Sequence, residues 1–210
     1  MNIREYVKLY FIMGSTNCEL SPVDTLEQAI QGGVTLFQYR EKGEGSLNEA
    51  EKIQLALQLR AICKRSSIPF IVNDDLELAL LLDADGIHIG QNDLPIEIVR
   101  EKMGHKIIGL SCHNVQEAKA AIQKGTDYIG VGPMFETITK LDAERVCGPK
   151  TIHQIRSANL DIPIVGIGGI TVENAHTVIE AGADGVAVIS AISRQSLPLE
   201  AARRIRKSIC

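Results

Sequence analysis

Five charged side chains stand just past the ends of apolar runs: Arg40, Lys42, Asp74, Asp93 and Lys140. "IVNDD" (71–75) ends in Asp74 and Asp75, and Asp93 closes "IHIGQND" (87–93). A buried strand has no structural use for acids and amides at its end, so these residues are candidates for chemistry. Two hard carboxylates on neighbouring strand ends suit Mg2+, which takes one or two carboxylates and completes its shell with phosphate oxygens and water. Three cations together with a divalent metal outweigh two acids, a balance that fits a bound diphosphate better than a neutral sugar. The structural alternative is a surface ion-pair network. In "FQYREK" (37–42), Gln38, Arg40 and Lys42 alternate with Tyr39 and Glu41, so the first three share one side of an extended segment.

A second anion site is suggested by "GIGG" (166–169), where glycine lets backbone N–H groups approach a ligand ahead of a helix starting near Thr171. Ile189 and Ser190 add N–H groups after the last apolar run. The alternative is a tight strand-to-helix turn. His88, between Ile87 and Ile89, reads as a hydrogen-bonded core or lumen residue, and His113 ends a run where it could touch substrate. No pair of histidines has zinc spacing. Cys112 lies at the same end, with no neighbour that marks it as a nucleophile.

The elements that must position these residues are eight Ile- and Val-rich runs, at 8–14, 35–41, 69–74, 86–90, 106–112, 128–132, 163–169 and 185–190. Helical patterns separate them. "DTLEQAIQGG" has Asp24 as its cap. "SLNEAEKIQLALQLRAICKRS" sets Leu47, Ala50, Ile53, Leu57, Ala61 and Cys63 at near-helical spacing, and Asp75 caps the helix that follows it. Asp85, Asp127 and Asp184 recur just before three of the runs and read as turn residues. Eight strand–helix units in one α/β domain (1–210) predict a single (β/α)8 TIM barrel. An open doubly wound sheet would carry a Gly-rich dinucleotide turn after an early strand, and "GSTNCELSP" after the first run is not one. In a barrel of this kind, chemistry gathers at the C-terminal strand ends, where the residues above stand. The segment 132–149, carrying Thr137, Thr139 and Lys140, is long for a βα loop and reads as an active-site cover.

Of the 210 residues, 45% are hydrophobic and only 4% aromatic, so the core must be aliphatic. A net charge of −4 without a basic stripe speaks against nucleic acid or a membrane surface as partner. Five cysteines without C-x-x-C spacing, an acid at Glu5 and no long apolar segment together lead us to expect reduced thiols in a cytoplasmic protein.

With these residues assembled, the chain resembles the thiamine phosphate synthase family over nearly its full length. The resemblance is carried by "FQYREK", "VNDD", "GIHIGQND", "GLSCHN", "YIGVGPMFETITKLDA", "GIGGI" and "VAVISAI", in the family's order and spacing. It implies a Mg2+-dependent transferase of thiamine biosynthesis. Such an enzyme joins 4-amino-2-methyl-5-hydroxymethylpyrimidine diphosphate to 4-methyl-5-(2-hydroxyethyl)thiazole phosphate and releases pyrophosphate, the diphosphate departing before the thiazole attacks. By resemblance, Gln38, Tyr39, Arg40, Glu41, Lys42, Asn73, Ser111 and Lys140 contact the pyrimidine diphosphate, with Arg40, Lys42, Ser111 and Lys140 acting in catalysis. Thr137, Thr139, Gly169, Ile189 and Ser190 hold the thiazole phosphate, and Asp74 and Asp93 hold Mg2+. Glu136 stands where the family usually has Pro, Asn92 where an acid is common, and Cys112 and Asn114 replace commoner small or hydroxyl residues. Rival readings are a thiazole tautomerase, a non-catalytic phosphate-ligand binder and another phosphosugar-type barrel enzyme. The partners expected are small molecules, with a homo-oligomer possible.

Overall fold

The structure, a computed structural model, describes residues 2–137 and 146–210. Eight parallel strands pair in chain order: β1 (Leu9–Met13), β2 (Leu36–Tyr39), β3 (Phe70–Asn73), β4 (Gly86–Ile89), β5 (Ile107–Cys112), β6 (Tyr128–Val131), β7 (Ile164–Ile167) and β8 (Gly185–Val188). The ring closes where Leu9, Tyr10 and Phe11 of β1 pair with Val186, Ala187 and Val188 of β8. Closure excludes the open sheet and establishes the (β/α)8 barrel, with helices between consecutive strands. Among the described residues no helix is long and apolar enough to cross a membrane.

The two-residue period of each strand divides its side chains between two apolar layers. Leu9, Phe11, Phe37, Tyr39, Phe70, Val72, Ile87, Ile108, Ile129 and Val186 point out and pack under the helices. Tyr10, Ile12, Leu36, Ile71, Ile107, Tyr128, Val165 and Ala187 point in and fill the lower lumen. Only the inward set can reach a ligand from within the barrel, and it includes most of the polar strand residues.

The helices differ from the sequence expectation in three places. The helix Glu49–Arg65 buries Ala56, Leu59, Ile62 and Cys63, whereas Leu57 is 51% exposed and Ala50 and Ala61 face solvent. Several apolar residues on its surface offer two plausible stripes, and the sheet's shape chooses between them. The helix Pro22–Gln31 is capped by Ser21, whose hydroxyl accepts the Asp24 N–H, so Asp24 lies in the first turn. The helix after β7 begins at Ala175 rather than near Thr171. Asp75 does cap Leu76–Leu81, accepting the Leu78 N–H at 2.9 Å.

The turn aspartates form a repeating device at the barrel's N-terminal end. Asp85 accepts the Phe70 N–H that opens β3, Asp127 the Ile108 N–H of β5, and Asp184 the Ile164 N–H of β7, each at 2.8 Å. Thr35 takes the same place for β1, its Oγ1 accepting from Leu9 N at 2.9 Å. Each odd strand thus has an early N–H satisfied by the residue leading into its even neighbour. Arg60, Arg100 and Arg156 reinforce the pattern, each donating to the carbonyl two residues before its aspartate: Asp83, Gly125 and Gly182. Removing such an acceptor leaves a strand N–H unmet, at a cost of about 1–3 kcal/mol. Asp127→Ala is therefore expected to lower the unfolding free energy by that amount, seen as a lower urea midpoint with the m-value unchanged; an unaltered midpoint contradicts the assigned role.

Candidate active site

The C-terminal ends of the strands surround a cavity of about 690 Å³. Gln38, Arg40 and Lys42 line it from β2 and the loop beyond, Asn73 and Asp74 from the end of β3, His88 from β4, Asp93 from the β4 loop, and Ser111 and His113 from the end of β5. Thr137, Gly169, Ile189 and Ser190 line it from the β6, β7 and β8 ends. The residues read from sequence as two anion sites share one chamber. Thr139 and Lys140 lie outside the described residues.

Each key side chain has a local reason for its place. Arg40 follows β2, and its N–H bonds Met13 O at 2.9 Å. A Cβ on Gly14 would stand 2.1 Å from Arg40 O, so glycine is what permits this approach. Asp74 adopts a left-handed backbone, φ +59°, uncommon for a residue with a side chain and typical of sites where the surrounding structure fixes it. Its N–H bonds His88 O at 2.8 Å, and its Oδ2 accepts from Lys42 Nζ at 3.1 Å. Asp93 folds back so that Oδ2 accepts the Gly90 N–H at 2.6 Å, and a Cβ on Gly90 would lie 3.0 Å from that oxygen.

Tyr39 and Glu41, which the resemblance assigns to the pyrimidine diphosphate, do not line the cavity. Tyr39 is 1% exposed on the outer face of β2, and its hydroxyl donates to Lys52 O at 3.2 Å. Glu41 joins the loops: it accepts from Ser15 N at 2.8 Å, Ser15 Oγ at 2.5 Å and Leu47 N at 3.0 Å. Its contribution is to brace the segment carrying Arg40 and Lys42. Asp75 also faces away from the chamber. Burial pushes its carboxyl up, but Lys52 Nζ at 2.6 Å and the Leu78 N–H outweigh this and hold it below the usual range.

At the other half, Gly168 and Gly169 have φ of +95° and +65°. A Cβ on Gly169 would meet Glu136 O at 2.5 Å, and one on Gly168 would meet Pro133 Cβ at 2.8 Å. The glycines are therefore needed twice, for the turn and for the 133–136 segment lying against it. No acceptor for the Gly169 N–H occurs among the described residues. Glu136 itself lines the cavity, adding an acid beside this half.

Several lining residues were not among the sequence candidates. Tyr10 stands on the inward side of β1, where alternation along "LYFIM" could have found it. Arg194 lines the mouth one turn after Ser190 and is exposed, with no sequence signal to mark it. His113 is held by Glu117, which accepts its backbone N–H at 2.8 Å and meets Nδ1 at 3.0 Å. Among the described residues no three His, Cys, Asp or Glu side chains gather as a metal cage.

An eight-stranded closed barrel whose C-terminal mouth gathers cations, two carboxylates and a glycine turn in one cavity belongs to the TIM-barrel proteins. The comparisons narrow the class. The family model described as thiamine monophosphate synthase matches residues 9–192. A thiamine-phosphate synthase of Bacillus cereus is 55% identical over 203 residues, covering 97% of this chain and 93% of that protein. One from Bacillus thuringiensis is 54% identical over the same coverage. The solved thiamine phosphate pyrophosphorylase of Pyrococcus furiosus superposes with a TM-score of 0.89 at 36% identity, covering 99% of this chain and 98% of that one. The chain belongs to the thiamine monophosphate synthase family, and with it to the transferases of thiamine biosynthesis.

All five cysteines are free. Burial and the nearby Glu117 carboxylate push the Cys112 thiol up to about 12; burial and the nearby Glu41 carboxylate do the same for Cys18. Burial also raises Cys63 and Cys147, while Cys210 is exposed. Since the thiolate is the reactive form, titration of the native protein with a disulfide reagent at pH 8 should show one fast equivalent, lost in Cys210→Ser. A second fast thiol at Cys112 contradicts its structural role.

Proposed function

We propose that the protein condenses an aminopyrimidine methyl diphosphate with a thiazole phosphate, giving thiamine monophosphate and pyrophosphate. The observation that carries this reading is the pairing, in one chamber, of a cation–carboxylate group at the β2, β3 and β4 ends with a glycine turn and Ser190 at the β7 and β8 ends. Two phosphorylated substrates need two such halves facing each other. A tautomerase would have no diphosphate to hold, and Arg40, Lys42, Asp74 and Asp93 would have no task.

Asp74 and Asp93 would hold Mg2+. They fit it in number and hardness: two carboxylates on adjacent strand ends leave positions for water and diphosphate oxygens. When bound, the metal supplies positive charge to the departing diphosphate. Arg40 and Lys42 bind the same group and stabilise charge as it develops on the leaving oxygen, a preorganised effect that can be worth about 10²-fold or more. The C–O bond breaks with its electron pair going to the diphosphate. The electron-rich aminopyrimidine ring stabilises the resulting methylene cation, and the thiazole nitrogen lone pair forms the new C–N bond. No protein nucleophile is required, so the residues' tasks are binding, orientation and exclusion of water. Lys140 shares the task of Arg40 and Lys42 toward the diphosphate, and Thr137 and Thr139 serve the thiazole phosphate.

A pyrophosphate-release assay tests the reading. Release is expected only when both substrates and Mg2+ are present; release without the thiazole phosphate, or none with all three, overturns it. Lys140→Ala and Arg40→Ala should each lower kcat by about 10²-fold or more. Asp93→Ala should raise the Mg2+ concentration needed for half-maximal rate, and a wild-type metal titration contradicts its role as ligand.

A further inference from the structure

A chain of five side chains crosses the lumen at the floor of the cavity. Gln38 Nε2 donates to Tyr10 Oη at 2.6 Å, Tyr10 Oη meets Tyr128 Oη at 2.8 Å, Tyr128 Oη meets His88 Nδ1 at 2.9 Å, and His88 Nε2 meets Ser111 Oγ at 3.0 Å. It runs from β2 to β1, across to β6, and returns through β4 to β5. Two glycines make the room. A Cβ on Gly109 would lie 2.1 Å from Tyr128 Cζ and 2.5 Å from His88 Nδ1, and one on Gly130 would lie 3.2 Å from His88 Cε1. Register pairs His88 with Gly109 and Gly109 with Tyr128, so the imidazole and the phenol meet over a strand position that must stay bare.

With the Gln38 amide nitrogen turned toward Tyr10, counting protons gives this chain one direction. Tyr10 and Tyr128 are fully buried, and burial raises both phenols, so each keeps its proton and brings one donor. Tyr10 already accepts from Gln38. If Tyr128 also donated to it, the Tyr10 proton would have no acceptor among the described residues. Tyr10 therefore donates to Tyr128, and Tyr128 donates to His88 Nδ1. An imidazole that accepts at Nδ1 carries its proton on Nε2, so His88 donates to Ser111 Oγ.

We propose that His88, Tyr10 and Tyr128 are positioning residues that set the hydrogen-bond polarity at the two ends of the chain, presenting Gln38 Oε1 to the cavity as an acceptor and the Ser111 hydroxyl as a donor. This deepens the reading above and rests on it for the ligands. The acceptor at Gln38 suits an N–H of an aminopyrimidine, and the donor at Ser111 suits a diphosphate oxygen. A reversed chain would offer a substrate amine another N–H and leave the Ser111 proton turned toward His88. One interior array thus fixes two contacts on opposite sides of the chamber.

The polarity is tested without substrate. Long-range 1H–15N spectra of the full protein at neutral pH, with His88 assigned by its loss in His88→Gln, should show the Nε2–H tautomer; an Nδ1–H tautomer overturns the proposal. The coupling is tested by kinetics. Tyr128→Phe keeps the ring and removes the link, so kcat should fall about tenfold in the wild-type background and clearly less in Ser111→Ala, where only the Gln38 end is left to disturb. A full tenfold loss in both backgrounds, or no loss in either, overturns the positioning role. His88→Gln, whose amide nitrogen can stand in for Nε2, should retain more activity than His88→Asn at equal thermal stability; the reverse order counts against it. A wild-type protein that releases no pyrophosphate would refute the assigned reaction, while the tautomer measurement would still decide the polarity.

Discussion

Closure of the barrel is the constraint on which the site depends. Eight parallel strands that pair in a ring must all end on one rim, so residues far apart in sequence are delivered to one place. Arg40, Asp74, Asp93, Ser111 and Ser190 come from five different strand–loop junctions and line one cavity. The opposite rim carries the structural counterpart: Thr35, Asp85, Asp127 and Asp184 satisfy early N–H groups of β1, β3, β5 and β7. Stability and chemistry thus sit at opposite ends of the same strands, as the fold generally arranges them.

The charge at the functional rim is held by backbone geometry as much as by ion pairing. Asp74 occupies a left-handed conformation, Asp93 bends back to the Gly90 N–H, and Gly14 admits the Arg40 carbonyl. Lys42 is 51% exposed, so its pair with Asp74 contributes little to folding. Glu41 supports the arrangement from outside, joining the loops after β1 and β2.

Much of this is legible in the chain because strand alternation is a short-range signal. The apolar runs locate all eight strands, and the period of two in "FQYREK" by itself separates Gln38, Arg40 and Lys42 from Tyr39 and Glu41. His88, flanked by two isoleucines, reads as a lumen residue for the same reason. What stays hidden depends on partners distant in sequence. Glu41 is explained by Ser15, Tyr39 by Lys52, and Gly109 by the ring of Tyr128. The buried face of Glu49–Arg65 departs from the expected stripe because several apolar residues there stay at the surface, and only the sheet decides which stripe is covered. Arg194 gives no signal because a lone cation after a short helix is usually solvated.

The half of the chamber between the β2, β3 and β4 ends is proposed as a metal-assisted diphosphate site. Calorimetric titration of pyrophosphate into the full protein measures it most directly. The account predicts binding that requires Mg2+ and is lost in Lys42→Ala and in Asp74→Asn. Equal affinity with and without Mg2+, unaffected by either substitution, would contradict it.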